Sequence, residues 1–268
     1  MFVTPHEATL RRISCRRVRG LPLISAVVMS CAFALPAGAE TVRVLAAGAA
    51  QAAIRQIAPE FAAVTGHTLD ATFDTVGALR ERVVGGERAD VVILSEAGIA
   101  ALQKTGKIDP GAPVDLGSVA VALAVRTGAP VPDVSSPQAL AATLRSSRSI
   151  AHADPARGAT AGAHFARVLE RLGIADQVRP RVTVLGFGGD VIDGVAQGRF
   201  EIGVSQSSEI VVHPGVMLAG SLPAPHGHRT RYQAAKGLGA GPAAEALLGM
   251  LAGERGRVAL QKSGFAAP

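Results

Sequence analysis

Two hydrophobic periods alternate along this chain from residue 41 onward. "TVRVLAAG" (41–48) has the apolar density of a buried strand, and from Ala49 to Thr65 the residues Ile54, Ile57, Phe61 and Val64 recur at helical spacing. "HTLDATFDT" predicts a second strand and Gly77 to Val84 a short helix. "ADVVILS" is apolar without interruption, as strands covered on both faces are, and the helix after it runs through Leu102 and stops near Gly106. "SVAVALAV" (118–125) repeats that strand type, and the Pro-rich "TGAPVPDVSSP" leads to a helix over Gln138 to Leu144. A short apolar run then ends at Asp154-Pro155. Small residues follow, Gly158-Ala159-Thr160-Ala161-Gly162, before a helix with Phe165, Val168, Leu169 and Leu172 on one face. "RVTVLG", a helix from Asp190 to Gln197, "FEIGVSQ", a short helix over Ser207 to Val211 and "GVMLAGSLP" come next. The chain ends in helix, burying Leu247, Leu248, Leu251, Val258 and Leu260. Strands alternating with amphipathic helices predict an α/β fold.

In such a fold the helix N-termini gather at one edge of the sheet, where ligands of open α/β sheets bind. Four strand-to-helix junctions are small or polar there: Ala47-Gly48-Ala49-Ala50, Asp74-Thr75-Val76-Gly77, Gly158 to Gly162, and Gln206 to Glu209. First-turn amides have no partner within the helix and carry partial positive charge, so converging helix tips bind an anion without lysine. Any one junction reads as an ordinary tight turn or cap; four together predict a ligand site. Arg157 is either a bidentate partner for a carboxylate or phosphate, or a solvated loop residue. Thr160 either meets the ligand or caps its helix. Gln206 can donate and accept. Glu209 lies in a first helical turn, where the dipole alone accounts for an acid; facing the cleft, it would repel an anion unless paired or protonated.

The first 39 residues change the charge picture. Arg11, Arg12, Arg16, Arg17 and Arg19 precede the apolar "LPLISAVVMSCAFALP", and Ala37-Gly38-Ala39 matches an export cleavage site, so a mature start at Glu40 and a periplasmic location are expected. The segment is short and interrupted by Pro22 and Pro36, which argues against a membrane anchor. Loose matches to a lipoprotein box before Cys31 and to a twin-arginine pair at Arg16-Arg17 leave the export route open. Without the leader the chain holds 22 basic and 20 acidic residues, a net charge of +2 in place of +6. No basic run remains to suggest nucleic acid. Cys15 and Cys31 leave with the leader, which removes disulfides, thiolate zinc sites and cysteine nucleophiles from consideration. With no Trp and only Tyr232, the chain is poorly equipped to stack a sugar.

Enzyme signatures are sparse. "GFGGD" (186–190) follows a strand and opens a helix but lacks the third spaced glycine of a dinucleotide motif, so it reads as a turn. No G-x-S-x-G or H-E-x-x-H is present. His226 and His228, with His213 nearby, sit in a Pro- and Gly-flanked stretch that reads as an exposed loop and not as a metal site; His152 and His164 read as packing or surface residues. No catalytic residue, metal or cofactor is expected.

"VRVLAAGAAQAAI", "FDTVGALRERVVGGERADVVILS", "ADPARGATAGAHFARVLERLGI" and "EIGVSQSSEI", with the C-terminal "GPAAEALLGMLAGERGRVALQKSGF", together resemble the periplasmic molybdate-binding proteins and their relatives across nearly the whole mature chain. The resemblance implies a type 2 periplasmic binding protein: two α/β lobes joined by two crossover strands, a cleft between them, and delivery of a small anionic solute to the permease of an ABC importer. It places lobe one at 40–121 plus 223–268 and lobe two at 122–222, and a monomer is expected. The family's two ligand-binding serines fall on Ala49 and Val76, and its tyrosine on Gln206, so both serine hydroxyls are missing. Backbone amides at Ala49, Gly77, Ala161 and Gly162 remain. The expected site is therefore Gly48, Ala49, Thr75, Val76, Gly77, Arg157, Thr160, Ala161, Gly162, Gln206 and Glu209. Its ligand is a molybdate-like oxyanion or, alternatively, a small organic carboxylate or other polar solute. A stand-alone sensor and an enzyme on the same fold are the further alternatives.

Overall fold

The computed structural model describes residues 38–268, so most of the segment expected to be an export leader lies outside the described residues. Among the described residues, nine strands form one continuous sheet with a parallel three-stranded group at each end. The first end holds β1 (Thr41–Ala47), β2 (Thr68–Asp74) and β3 (Val91–Ser95), with β1 pairing in parallel to both neighbours. The second holds β5 (Ile150–Ala153), β6 (Val182–Leu185) and β7 (Ile202–Gln206), again parallel around β5. β4 (Val114–Arg126) and β9 (Arg229–Lys236) join the two. β4 pairs with β9 from Val114 to Ala120, then with β7 from Val121 and β8 (Val216–Ser221) from Ala122. One long strand thus changes partners midway and belongs to both lobes.

The uninterrupted apolar strands are covered on both faces, as their composition predicts. Val91 and Ile93 of β3 pack with Val44 and Ala46 into a core shared with Ile54, Ile57 and Phe61. Val92 and Leu94 face a second core with Leu79, Ile99 and Leu102. In β4, Val121, Leu123 and Val125 point to Phe165, Val168 and Leu169, while Ala122 and Ala124 face Ile192 and Val195. The helices are α1 (Gln51–Thr65), α2 (Val76–Val84), α3 (Glu96–Lys104), α4 (Pro137–Ser146), α5 (Thr160–Arg171), α6 (Ala175–Val178), α7 (Gly188–Ala196), α8 (Ser207–Ile210), α9 (Pro242–Ala252) and α10 (Glu254–Lys262). None of them is long and apolar enough to cross a membrane.

Two elements depart from the sequence reading. α1 is entered through a 3-10 turn at Gly48–Ala50, so regular helix starts two residues later than the apolar spacing suggests. β9 escaped the periodicity altogether, because "RTRYQAAK" alternates charged residues with Thr, Tyr and Ala and not with large aliphatics. It is a strand because β3 and β4 flank it on both sides, burying Thr230, Tyr232, Ala234 and Ala235.

Candidate functional site

The ends of β1, β2, β5 and β7 and the helices that follow them converge on a narrow cleft with about 30 Å³ of open volume. That is room for about two waters, so the lobes must part to admit anything larger. Its lining mixes both lobes: Gly48, Ala49, Asp74, Thr75 and Val76 from the first junctions, Thr160 and Ala161 from the third, Gln206 and Glu209 from the fourth. Of the expected residues, Gly77, Arg157 and Gly162 do not line it. The expected site omitted Ala47, Asp74, Ala153, Ala159, Phe187, Gly188, Ser205 and Tyr232, which do. Phe187 and Gly188 belong to the "GFGGD" stretch, which on sequence reads only as a turn, although its place between β6 and α7 makes it a fifth strand-to-helix junction. Tyr232 carried no such signal because β9 went unread.

Gly77 and Arg157 hold the mouth of the cleft. The Arg157 guanidinium makes a two-pronged ion pair with Asp74 at 3.0 and 3.1 Å, so it serves a carboxylate of the protein itself. The Thr75 hydroxyl donates to the Arg157 carbonyl at 2.5 Å, and the Gly77 amide donates to the Gly158 carbonyl at 3.3 Å. A Cβ on Gly77 would lie 2.7 Å from the Gly158 α-carbon, and one on Gly158 2.5 Å from that of Gly77. Gly158 also has φ +70°, which a side chain disfavours. Two bare backbones thus touch where the lobes meet. Since an exposed ion pair contributes about 0.2–1 kcal/mol, Arg157→Gln is expected to favour the open form by a factor of roughly 1.4 to 5. Donor and acceptor dyes placed on the two lobes would read this as lower transfer efficiency; unchanged efficiency would mean the ion pair adds nothing to closure.

Gly162 faces backwards. A Cβ there would drive into the Ala153 carbonyl of β5, so this glycine lets α5 press on its own strand. Thr160 is not a cap: Ala159 holds the N-cap position, and the Thr160 hydroxyl instead accepts from Gln206 Nε2 at 2.8 Å. Thr75 does cap α2, accepting from the Ala78 amide at 3.2 Å.

Glu209 is the chemically distinctive group. Its Oε2 accepts from the Ser205 hydroxyl and, at 3.3 Å, from the Gln206 amide. A Cβ on Gly188 would meet both carboxyl oxygens at 2.6 Å, and one on Gly48 would meet Oε1 at 2.7 Å. Glycines from the two lobes therefore flank the carboxyl, leaving room only for main chain. Burial pushes its pKa above the usual carboxylate range, and the two hydrogen bonds to its charged form only partly oppose this. Tyr232 is likewise pushed up, by burial first and by the nearby Glu209 charge in addition, so it stays a neutral phenol. Among the described residues no cluster of three or more His, Cys, Asp and Glu could hold a metal ion. His164 Nε2 donates to the His226 carbonyl, 2.7 Å away, and the ring stacks on His228; His152 packs on Phe165.

The sequence model for bacterial extracellular solute-binding proteins matches residues 42–266. A protein named aconitate isomerase, from a Pseudomonas species, is 32% identical over 235 residues, covering 84% of this chain and 87% of that protein. Among solved structures, the periplasmic molybdate-binding protein of Azotobacter vinelandii superimposes with TM-score 0.71 at 20% identity, over 85% of this chain and 99% of that one. The sulfate-binding protein of Mycobacterium tuberculosis gives 0.66 at 20% identity, over 84% and 86%. These likenesses carry the two-lobed type 2 periplasmic binding fold that the sequence resemblance implied. The chain belongs to the bacterial extracellular solute-binding proteins.

Proposed function

We propose that the cleft receives a small unsaturated organic polycarboxylate and interconverts its double-bond isomers, with Glu209 carrying the proton. The observation behind this reading is the Glu209 carboxyl itself, enclosed in the cleft wall with its pKa raised. An ionised carboxylate there would repel a dianionic oxyanion, and Ala49 and Val76 offer no hydroxyl to one. The relative named aconitate isomerase supports the substrate class.

The chemistry asks little of the protein. In a propene tricarboxylate, one carbon of the three-carbon unit is a methylene, made acidic by the double bond and the carboxyl beside it. Glu209, ionised, takes a proton from that carbon; the C–H electron pair spreads over the allylic unit and its carboxylates. A proton returned to the opposite carbon shifts the double bond and can change its geometry. One C–H bond breaks and one forms, with no net redox change and no cofactor. A base with a raised pKa is the better proton acceptor and, once protonated, a serviceable donor near neutral pH. Helix-tip amides at Gly48, Ala161 and Gly188 and the cleft hydroxyls would hold the growing carboxylate charge.

Capture for an importer is the second reading, favoured by the family and by a cleft shared between two lobes, divided at 40–121 plus 223–268 and 122–222. In it the chain, exported to the periplasm by its leader, works as a monomer that closes on a small anion and hands it to an ABC permease. One experiment separates the readings. Mature protein is incubated with cis-aconitate or trans-aconitate and the isomers are followed by proton NMR, alongside melting curves with aconitate, citrate, molybdate, sulfate and phosphate. Isomerisation, with a melting-temperature rise of roughly 5–10 °C for a carboxylate at about a hundred times its Kd, is expected. A carboxylate shift without turnover would leave capture standing. A shift for oxyanions alone would overturn the carboxylate assignment.

A further inference from the structure

Gln206 sits 3% exposed beneath the cleft and brings three hydroxyls together across the two lobes. Its Nε2 lies 2.8 Å from Thr160 Oγ1, 3.2 Å from Thr230 Oγ1 and 3.4 Å from the Tyr232 hydroxyl. The amide oxygen faces the backbone amide of Glu209 in the first turn of α8 but makes no hydrogen bond. That orientation leaves the NH2 edge facing the hydroxyls, so they act as acceptors toward Gln206. Thr160 and Tyr232 both line the cleft, and their oxygens are 3.3 Å apart.

The proton count follows from this arrangement. The two hydroxyls own one proton each, and the contact between them uses at most one. At least one proton is left to donate, and the cleft is the open side of the pair. Tyr232 cannot supply its place as a phenolate, because burial keeps it neutral. An acceptor on the ligand, and best a carboxylate, completes the network.

We propose that Thr160 and Tyr232 form a carboxylate-reading subsite, and that Gln206 is the positioning residue that keeps a hydroxyl proton free for the ligand. Thr160 comes from lobe two and Tyr232 from β9 of lobe one, so a carboxylate bound here bridges the lobes and rewards closure. The assignment rests on the polycarboxylate reading above and adds where one of the carboxylates goes.

The test compares trans-aconitate with its three mono-amides, in each of which one carboxylate becomes a carboxamide, by titration calorimetry against the wild-type protein, Tyr232→Phe and Gln206→Glu. The wild type is expected to bind one mono-amide at least about tenfold more weakly than the acid, the scale of a hydrogen bond to a charged group. Tyr232→Phe should shrink that penalty severalfold for the same mono-amide while leaving the other two penalties in place. Gln206→Glu should shrink the same penalty with Tyr232 intact, because a carboxylate there accepts the hydroxyl protons. A Tyr232→Phe protein that melts like the wild type but loses affinity equally for acid and all amides, or for none, would overturn the subsite. If the wild type binds neither acid nor amides, the polycarboxylate reading itself falls, and the subsite falls with it.

Discussion

Glu209→Gln is expected to abolish isomerisation while making the protein more stable. Removing a positioned proton carrier costs about 10²–10⁴ in rate, so turnover of aconitate should drop at least a hundredfold, with binding changed far less. The stability gain follows from the raised pKa. A carboxyl that prefers its neutral form when folded binds its proton more tightly in the native state than in the unfolded chain. Stability from this group is therefore greatest in acid, and it is lost as pH rises from the usual glutamate range toward the raised native value. Glutamine mimics the neutral form at every pH. The variant should accordingly melt higher than the wild type at neutral pH, and the difference should shrink as the pH falls from the raised native value to the usual carboxylate range. Melting curves across pH, paired with the NMR assay, check both halves. A variant that turns over normally would remove Glu209 from the chemistry. A melting difference that widens in acid would contradict the burial cost.

Gly162→Ala is expected to lower stability by about 3 kcal/mol, the upper end for overpacking a well-filled site, or roughly 6–12 °C in melting temperature. The added methyl would collide with the Ala153 carbonyl, a main-chain atom that β6 and β7 hold in place through β5. On the sequence alone, Gly162 and Gly77 belong with the residues that bare an amide to the ligand. Gly162 in fact serves the seam between α5 and β5, and Gly77 the seam between the lobes. A Gly162→Ala protein as stable as the wild type but deficient in ligand binding would restore the original role.

Much of the architecture was legible because its causes are local. Runs such as "ADVVILS" have no polar face to show water and must be covered twice, which already implies helices on both sides of a parallel sheet. Small and polar residues at strand-to-helix junctions marked the ligand edge in the same way. What a junction residue touches is another matter. Arg157 as a string position is equally a ligand clamp or a loop residue, and only the approach of β2 to the turn after β5 gives it Asp74. The same holds for Thr160, read as a possible cap yet drawn to Gln206 and Tyr232 by the closure of two lobes.

The amino-acid order by itself determined the α/β class and the four junctions at one edge, both of which depend on composition and spacing over a few residues. Only the tertiary structure decided that Glu209 is enclosed between Gly48 and Gly188, that Tyr232 joins the cleft, and that Gly162 faces away from it. Those outcomes depend on desolvation and on contacts between segments far apart in the chain, and neither quantity exists until the sheet has brought those segments together.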